Sequence, residues 1–253
     1  MMSADENITL VTGANRGMGF EIAKELGQKG QHVIIGARNL GKGQDAIEQL
    51  THLGIKADVV QLDVTNPSSV KQAAQTIETN YGYLSILINN AGAVFDFRQA
   101  ASTINLDDVR QDFEINYFGL IDVTEKMVPL LKKSSRAKII NISSMMGSKT
   151  AALDPSSTVY RAVAVGYQSA KAAANMYTVQ LAKEFINAGV PITVNAIDPG
   201  MVATEFGGVS PEVSKAHGGL PVSEGVARTV ELATDSDSTI TATFSNIDGN
   251  VGW

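Results

Sequence analysis

The 253-residue chain contains no cysteine, which excludes a disulfide framework, a thiolate zinc site and a cysteine nucleophile, and leaves the redox compartment open. Histidine is nearly as scarce. His32, His52 and His217 lie far apart with no partner at ligand spacing, so no catalytic zinc cluster is expected and each reads as a surface or loop residue. The chain also lacks a basic cluster: 20 Lys and Arg stand against 26 Asp and Glu, a net charge of −6, and the basic residues are spread along the sequence, which disfavours nucleic-acid binding. No stretch runs uncharged and apolar long enough to span a bilayer, and residues 1–7 carry acids without the apolar core of a targeting segment. No membrane association and a cytoplasmic location are therefore expected. No Pro- or Ser-rich linker, charge block or composition shift divides the chain, so residues 1–253 read as one domain.

What the chain has is 44% hydrophobic residues in a regular rhythm. Apolar, β-branched runs at 8–11, 32–36, 57–62, 86–88, 138–142 and 192–197 read as buried strands. Between them, residues 19–28, 42–53, 68–80, 107–131 and 168–187 have helical periodicity. Such alternation implies βαβ units with right-handed crossovers, hence a doubly wound α/β fold, a parallel sheet with helices on both faces. After Pro199 the rhythm breaks at Gly207, Gly208, Pro211, Gly218, Gly219 and Pro221, which predicts a mobile loop before a helix at about 223–234 and a last strand at 241–246.

The first strand leads into Thr12-Gly13-Ala14-Asn15-Arg16-Gly17-Met18-Gly19 and then an amphipathic helix. Glycine lets a backbone turn tightly and approach a pyrophosphate, whose charge then sits on the free amides and positive dipole end of the helix. The spacing is G-x-x-x-G-x-G, and its place between strand and helix, more than its glycines, points to a dinucleotide. An acid ending the second strand would bind the 2′-hydroxyl of NAD. Here Arg38 stands there and Arg16 lies inside the glycine loop, with no Asp or Glu between His32 and Gln44, a pattern that favours the 2′-phosphate of NADP(H).

Tyr167 and Lys171 are four apart and share one helix face, and no other tyrosine has a lysine at that spacing. Such a pair is commonly a solvated helix face. Beside a nicotinamide it becomes an acid, because a nearby cation pulls the phenol down from its usual pKa of about 10. Ser143 and Ser144 follow the strand at 138–142, at the mouth of the sheet, where either hydroxyl can meet a substrate carbonyl or both can satisfy loop backbone. Asn116 sits inside an apolar helical pattern where asparagine is a poor helix former, so it either makes a core hydrogen bond or has a special role.

In their order, these motifs resemble the classical short-chain dehydrogenases/reductases over nearly the whole chain. The resemblance is carried by the Thr12-to-Gly19 loop, Asn89-Asn90-Ala91-Gly92, Asn116, Ser143-Ser144, Tyr167-Gln168-Ser169-Ala170-Lys171 and Pro199-Gly200. Within the family, Gly13 to Phe20, Gly36-Ala37-Arg38 and the long gap from Ser144 to Tyr167 look most like the NADPH-dependent carbonyl reductases. The resemblance implies that Ser144, at the second position, is the catalytic serine. It further implies that Tyr167 donates the proton, Lys171 holds the nicotinamide ribose, and Asn116 kinks its helix and holds a water linking the lysine to solvent. Cofactor contacts are implied for Gly13, Asn15, Arg16, Gly17, Met18, Gly19 and Arg38, for Asp63 and Val64 at the adenine, and for Asn90, Ala91 and Gly92 near the ribose. Pro199, Gly200, Val202 and Thr204 match the segment that holds the nicotinamide carboxamide. Asn89 is expected to brace the sheet, residues 206–220 to form a substrate lid, and Val94, Phe95, Met145, Met146, Met201 and Phe206 to wall the pocket.

The expected activity is NADPH-dependent reduction of a ketone or aldehyde to an alcohol, with a small-molecule carbonyl or alcohol as the partner. Two rivals stand beside it. A 3-oxoacyl thioester reductase would need a basic surface near the lid for its acyl-carrier protein, where only Lys215 supplies charge. An NADP-sensing binding protein without turnover is disfavoured by the intact set Asn116, Ser144, Tyr167 and Lys171. Relatives pair as dimers or tetramers through helices matching 107–131 and 168–187, but the insertion before Tyr167 resembles one that disrupts such pairing, so homodimer, homotetramer and monomer all stay open.

Overall fold

Runs of β-branched residues bury both faces and fold as central strands, while the amphipathic segments between them turn back over the sheet. The computed structural model describes residues 6–253, so the reading of the first seven residues falls largely outside the described chain. The first half runs β1 (Ile8–Thr12), α1 (Gly17–Gln28), β2 (His32–Ala37), α2 (Leu40–His52), β3 (Ala57–Gln61), α3 (Pro67–Tyr81) and β4 (Ile86–Asn89). It continues with α4 (Leu106–Phe113), a π turn (Glu114–Phe118), α5 (Gly119–Leu131), β5 (Ala137–Ile142), α6 (Lys149–Leu153) and α7 (Val165–Ala188). Then come β6 (Ile192–Ile197), α8 (Pro211–Ala216), α9 (Val222–Thr234), β7 (Phe244–Asn246) and β8 (Gly249–Asn250).

Among the described residues the strands form one sheet in the order β3-β2-β1-β4-β5-β6-β7-β8, parallel except for β8, which runs antiparallel to β7. Successive residues of β1 face opposite ways: Leu10 joins an apolar layer with Val70, Val123 and Phe185 of α3, α5 and α7. Its neighbour Val11 joins Ile22, Leu50 and Val226 of α1, α2 and α9. The sheet is thus covered on both faces, as the doubly wound expectation requires. Strand order reverses between β1 and β4, and the loops leaving their carboxyl ends part there to form the crevice in which open α/β sheets bind ligands.

Element positions agree with the sequence reading to within a few residues, with five differences. β3 is only partly buried, with Asp58 and Gln61 exposed and only Val60 fully buried, because it is the sheet edge. The strand expected at 241–246 pairs only over Phe244–Asn246; Thr241 and Thr243 instead bond β6, with Val194 N–H donating to Thr241 Oγ1 at 3.0 Å and Thr243 N–H to Asn195 Oδ1 at 3.1 Å. The helix expected at 107–131 is divided by the π turn. The glycine-rich stretch after Pro199 is more regular than expected: it holds a 3₁₀ turn at Phe206–Gly208 and α8, and is tied by a parallel bridge between Val202 and Leu220. His32 is a core residue, 5% exposed at the head of β2, with Nε2 2.7 Å from Asp58 Oδ2 and its ring against the edge of Tyr81. Among the described residues no helix is long and apolar enough to cross a membrane, and no group of His, Asp and Glu is arranged to hold a metal.

Candidate active site

The first wall of the crevice is the turn from β1 into α1. Gly13 and Gly17 take φ of +65° and +59°, the left-handed region that glycine enters without strain. The N–H groups of Gly13 and Ala14 donate to the Gly36 carbonyl at 2.8 and 3.2 Å, fastening the loop to β2. Arg16 precedes α1 in extended backbone without a side-chain cap, and no acid occupies the first helical turn. The first amides of the helix, from Gly17, Met18 and Gly19, are therefore left for an outside anion. A Cβ on Gly19 would lie 2.5 Å from Asn90 Nδ2 and 2.7 Å from the Gly13 carbonyl. Asn90 Nδ2 donates to the Thr12 carbonyl at 2.8 Å, while the N–H groups of Asn90 and Ala91 meet Thr12 Oγ1 at 3.0 and 2.9 Å. The glycine loop and the Asn89-Asn90-Ala91-Gly92 turn thus form one backbone cradle of a shape and polarity that fit a diphosphate, with Asn15 half-buried in its rim.

Two arginines border the cradle. Arg38 is exposed at the end of β2 and joins no ion pair among the described residues. Arg16 reaches across the crevice, donating from Nη1 to Glu205 Oε2, with side-chain exposures of 68% and 61%. An exposed pair of this kind is worth about 0–1 kcal/mol, weak enough for a bound anion to replace. At the end of β3, Asp63 Oδ1 accepts from the N–H and hydroxyl of Thr65 at 3.0 and 2.8 Å, a turn that brings Val64 against Gly119.

The second wall is α7 with the turn after β5. Tyr167 and Lys171 are 6% and 4% exposed. Lys171 Nζ donates to the Ile142 carbonyl at 2.8 Å and lies 5.6 Å from the centre of the Tyr167 ring. Burial pushes the lysine down to about 8. Burial also pushes the Tyr167 phenol above its ordinary value, with hydrogen bonding to Ser144 acting against it and Asp198 and Asp112 adding to the rise. The downward pull expected from Lys171 is thus corrected: its charge is spent on a main-chain carbonyl and faces the ring, and the depth of the phenol decides the direction. Ser144 Oγ accepts from Met146 N–H at 3.2 Å, whereas Ser143, its rival in the sequence, is buried and donates to Asn175 Oδ1 at 2.5 Å. The serine beside the phenol is therefore Ser144.

Asn116 lies in the π turn, where Nδ2 donates to the carbonyls of Ala93 and Asp112 at 2.8 Å each. A π turn releases main-chain groups from the regular ladder, and such turns gather at functional sites. A Cβ on Gly92 would stand 3.0 Å from Asn116 Oδ1 and 3.7 Å from Lys171 Nζ, so Asn116, Gly92 and Lys171 converge on one point. Asn89 braces the sheet, donating to Thr124 Oγ1 at 2.9 Å and Asn141 Oδ1 at 2.8 Å.

The third wall follows β6. Pro199 leads to Gly200 at φ +71°, Val202 is held by its bridge to Leu220, and Thr204 lies opposite Gly17, its methyl 3.7 Å from where a Cβ on that glycine would sit. A cavity of about 530 Å³ opens between the glycine loop, residues 92–94 and residues 205–210. Of the expected pocket walls, Val94 and Phe206 line this cavity, and the Phe206 ring lies 5.8 Å from that of Tyr167. Phe95 and Met201 are exposed, Met146 is half-buried, and the Met145 sulfur lies 3.9 Å from the hydroxyls of Ser157 and Thr158. Three acids escape the sequence reading: Glu205, the partner of Arg16; Asp198, which accepts from Met145 N–H at 2.8 Å; and the buried Asp96 beside Asp112. Their roles arise from long-range contacts with no local signature.

Residues 7–213 match the short chain dehydrogenase family. The chain is 32% identical over 252 residues to the 3-oxoacyl-[acyl-carrier-protein] reductase of Haemophilus influenzae, spanning 96% of this chain and 97% of that protein. It is 30% identical over 284 residues to short-chain dehydrogenase/reductase 1 of Saponaria officinalis, spanning 91% and 90%. The crystal structure of NADPH-bound carbonyl reductase from chicken fatty liver matches with a TM-score of 0.83 at 27% identity, over 99% of this chain and 100% of that one. With a family match running from β1 to α8 and full-length relatives on both comparisons, the chain belongs to the short-chain dehydrogenase family of oxidoreductases.

Proposed function

We propose that the protein is an NADP(H)-dependent carbonyl reductase that interconverts a ketone or aldehyde with its alcohol, with Tyr167 as general acid and base. The observation that carries this reading is the meeting of Tyr167, Ser144 and Lys171 at the mouth of the sheet, beside a glycine cradle that fits a diphosphate. Bound there, the cofactor supplies the hydride. Tyr167 keeps its proton through the neutral range because burial disfavours the phenolate, as suits a donor to a developing alkoxide. Ser144 sets a second hydroxyl beside the phenol, where it orients the carbonyl oxygen and stabilises the charge growing on it. Lys171 uses one N–H on Ile142 and keeps others for ribose hydroxyls. Asn116 ties the 92–93 turn to the π turn and keeps Gly92 against Lys171, the position from which a water can relay protons to solvent.

Arg38, exposed and paired with no acid among the described residues, is suited to a 2′-phosphate, and Arg16 adds a second cation once Glu205 is exchanged for that anion. The NADPH of the chicken enzyme supports this choice. The Haemophilus relative favours a second reading, reduction of a 3-oxoacyl thioester. Against it, Lys215 is the lone Lys or Arg between residues 205 and 224, a stretch that also carries Glu205, Glu212 and Glu224 and so suits an acidic carrier poorly. The test is loss of NADPH absorbance with ketones, aldehydes and 3-oxoacyl thioesters. Wild type should consume simple carbonyls, and Tyr167→Phe should lose on the order of 10²- to 10⁴-fold in rate while still binding NADPH. A wild type that binds NADPH but reduces no carbonyl would leave a binding protein.

A further inference from the structure

The helix that carries Tyr167 begins without a cap of its own. Ala164 holds the cap position and offers no side-chain oxygen, so the first amides of α7 need acceptors from elsewhere. Asp96, fully buried in the loop after β4, supplies them: Oδ2 accepts from Gly166 N–H, and Oδ1 accepts from Tyr167 N–H at 3.3 Å. Asp112 of α4 is also fully buried, and its Oδ1 accepts from Phe95 N–H at 3.0 Å. Its Oδ2 has no N–H or O–H partner among the described residues. A Cβ on Gly166 would lie 2.9 Å from Asp112 Oδ2 and 3.2 Å from Asp96 Oδ2, so both oxygens converge on the bare glycine face of the helix. Among the described residues neither carboxyl joins an ion pair.

Two unpaired carboxylates in one buried site cannot both ionise at low cost; one proton held between them satisfies both oxygens. The remaining single charge then sits at the positive end of the helix dipole. We propose that Asp96 and Asp112 are positioning residues for Tyr167: a hydrogen-bonded acid pair sharing one proton, which caps the helix bearing the tyrosine and releases it when that proton leaves. The proposal rests on the reading of Tyr167 as the proton donor. It agrees with an Asp112 carboxyl pushed up to about 7, first by burial and also by Asp96 against it. The titratable groups facing Asp112 are Asp96 on the loop and Tyr167 on α7. Asp108, a turn earlier on α4, is bonded by Gln99; Arg98 lies over the Phe97 ring; Lys171 is bonded to Ile142, and Asp198 acts on Tyr167 from beyond β6. Loss of the proton places a second negative charge at the helix start, which repels Asp96 and raises the phenol further.

Asp112→Asn isolates the proton, since its amide can donate to Asp96 and accept from Phe95 N–H but cannot ionise. The infrared band of a protonated carboxyl, followed in the cofactor-free protein, should fade in wild type with a midpoint near pH 7 and be missing from the variant. In the reductase assay, wild-type kcat should fall at least about threefold through its alkaline limb, while Asp112→Asn stays within about twofold of wild type at low pH and lacks that limb. Asp96→Asn, which removes the charge at the helix start, should lower kcat by roughly tenfold with KM for NADPH little changed. The pair is overturned if the variant keeps the wild-type limb, or if no carboxyl band separates wild type from Asp112→Asn. Should that variant not fold, a wild-type spectrum with no carboxyl titrating near neutrality overturns it alone. An active Tyr167→Phe enzyme would instead sink the reading of the tyrosine, whatever the band does.

Discussion

Lys171 should make the affinity for NADPH fall at alkaline pH, and the size of the effect follows from its burial. In the free protein burial brings the lysine from 10.5 down to about 8, because the Ile142 carbonyl and the Tyr167 ring only partly compensate the lost hydration of its ammonium. If ribose hydroxyls accept from that ammonium, the charged form is favoured in the complex and the pKa climbs back toward 10.5. Between these values the free protein holds a neutral lysine and the complex a charged one, so binding takes up a proton. The difference is 10.5 − 8 = 2.5 pH units, and each unit is about 1.4 kcal/mol or tenfold in affinity. The dissociation constant should therefore be flat below about pH 8, rise by up to tenfold per pH unit above it, and approach a ceiling of roughly 300-fold. Fluorescence titration of NADPH from about pH 7 to 9.5 reads the slope, and calorimetry in two buffers of different ionisation enthalpy counts the proton. Lys171→Met should bind more weakly at neutral pH and show neither effect. An affinity that stays flat to about pH 9.5 in wild type, or the same slope in Lys171→Met, refutes the assignment of the ribose to this side chain.

Arg38→Asp should reverse cofactor preference: a charge-assisted contact worth about 1.5–3 kcal/mol is replaced by repulsion, so kcat/KM with NADPH should drop by at least roughly tenfold while that with NADH rises. An unchanged ratio would move the 2′-phosphate away from β2. Gly19→Ala forces a methyl to within 2.5 Å of Asn90 Nδ2 and 2.7 Å of a main-chain oxygen, so the two halves of the cradle must separate. NADPH affinity should fall by at least about tenfold with little change in circular dichroism, since the sheet below is untouched; unaltered affinity would show that the diphosphate does not use this turn.

Much of the fold is legible in the sequence because central parallel strands are apolar on both faces and their helices are not, which makes runs such as 33–35 and 86–88 stand out. The cradle is legible for a related reason, since glycine at fixed places between strand and helix has few uses. What sequence spacing does not carry is depth. Four residues between Tyr167 and Lys171 place them side by side, but the sign of the tyrosine shift depends on how far below the surface the pair lies. His32 has the opposite difficulty: its place in an apolar strand is the better guide, and its residue type, usually exposed, misleads. The π turn leaves only Asn116 as a trace, because the apolar pattern runs on across it. In the glycine-rich segment, Ser210 before Pro211 is a usable start signal for a short helix, hidden by the breakers around it. Partners such as Arg16 and Glu205, 189 positions apart, or Asp96 and Gly166, 70 apart, exist only once the chain has closed.

The reversal of strand order also constrains the route by which the chain folds. β1 meets β2 across 24 positions (Ile8 against His32) but meets β4 across 77 (Thr9 against Ile86). Closing the longer loop costs about 1 kcal/mol more in chain entropy, and its reward waits until α3 has formed and packed. A unit of β1, β2 and β3 with their two helices can assemble first, leaving the far edge of β1 open. An open edge in what will become the middle of a sheet is where two incomplete chains pair with one another. The diphosphate cradle needs both the turn after β1 and the turn after β4. On the proposed reading, cofactor finds no complete site until that edge is covered, so NADPH present during refolding should raise the yield without hastening its first step.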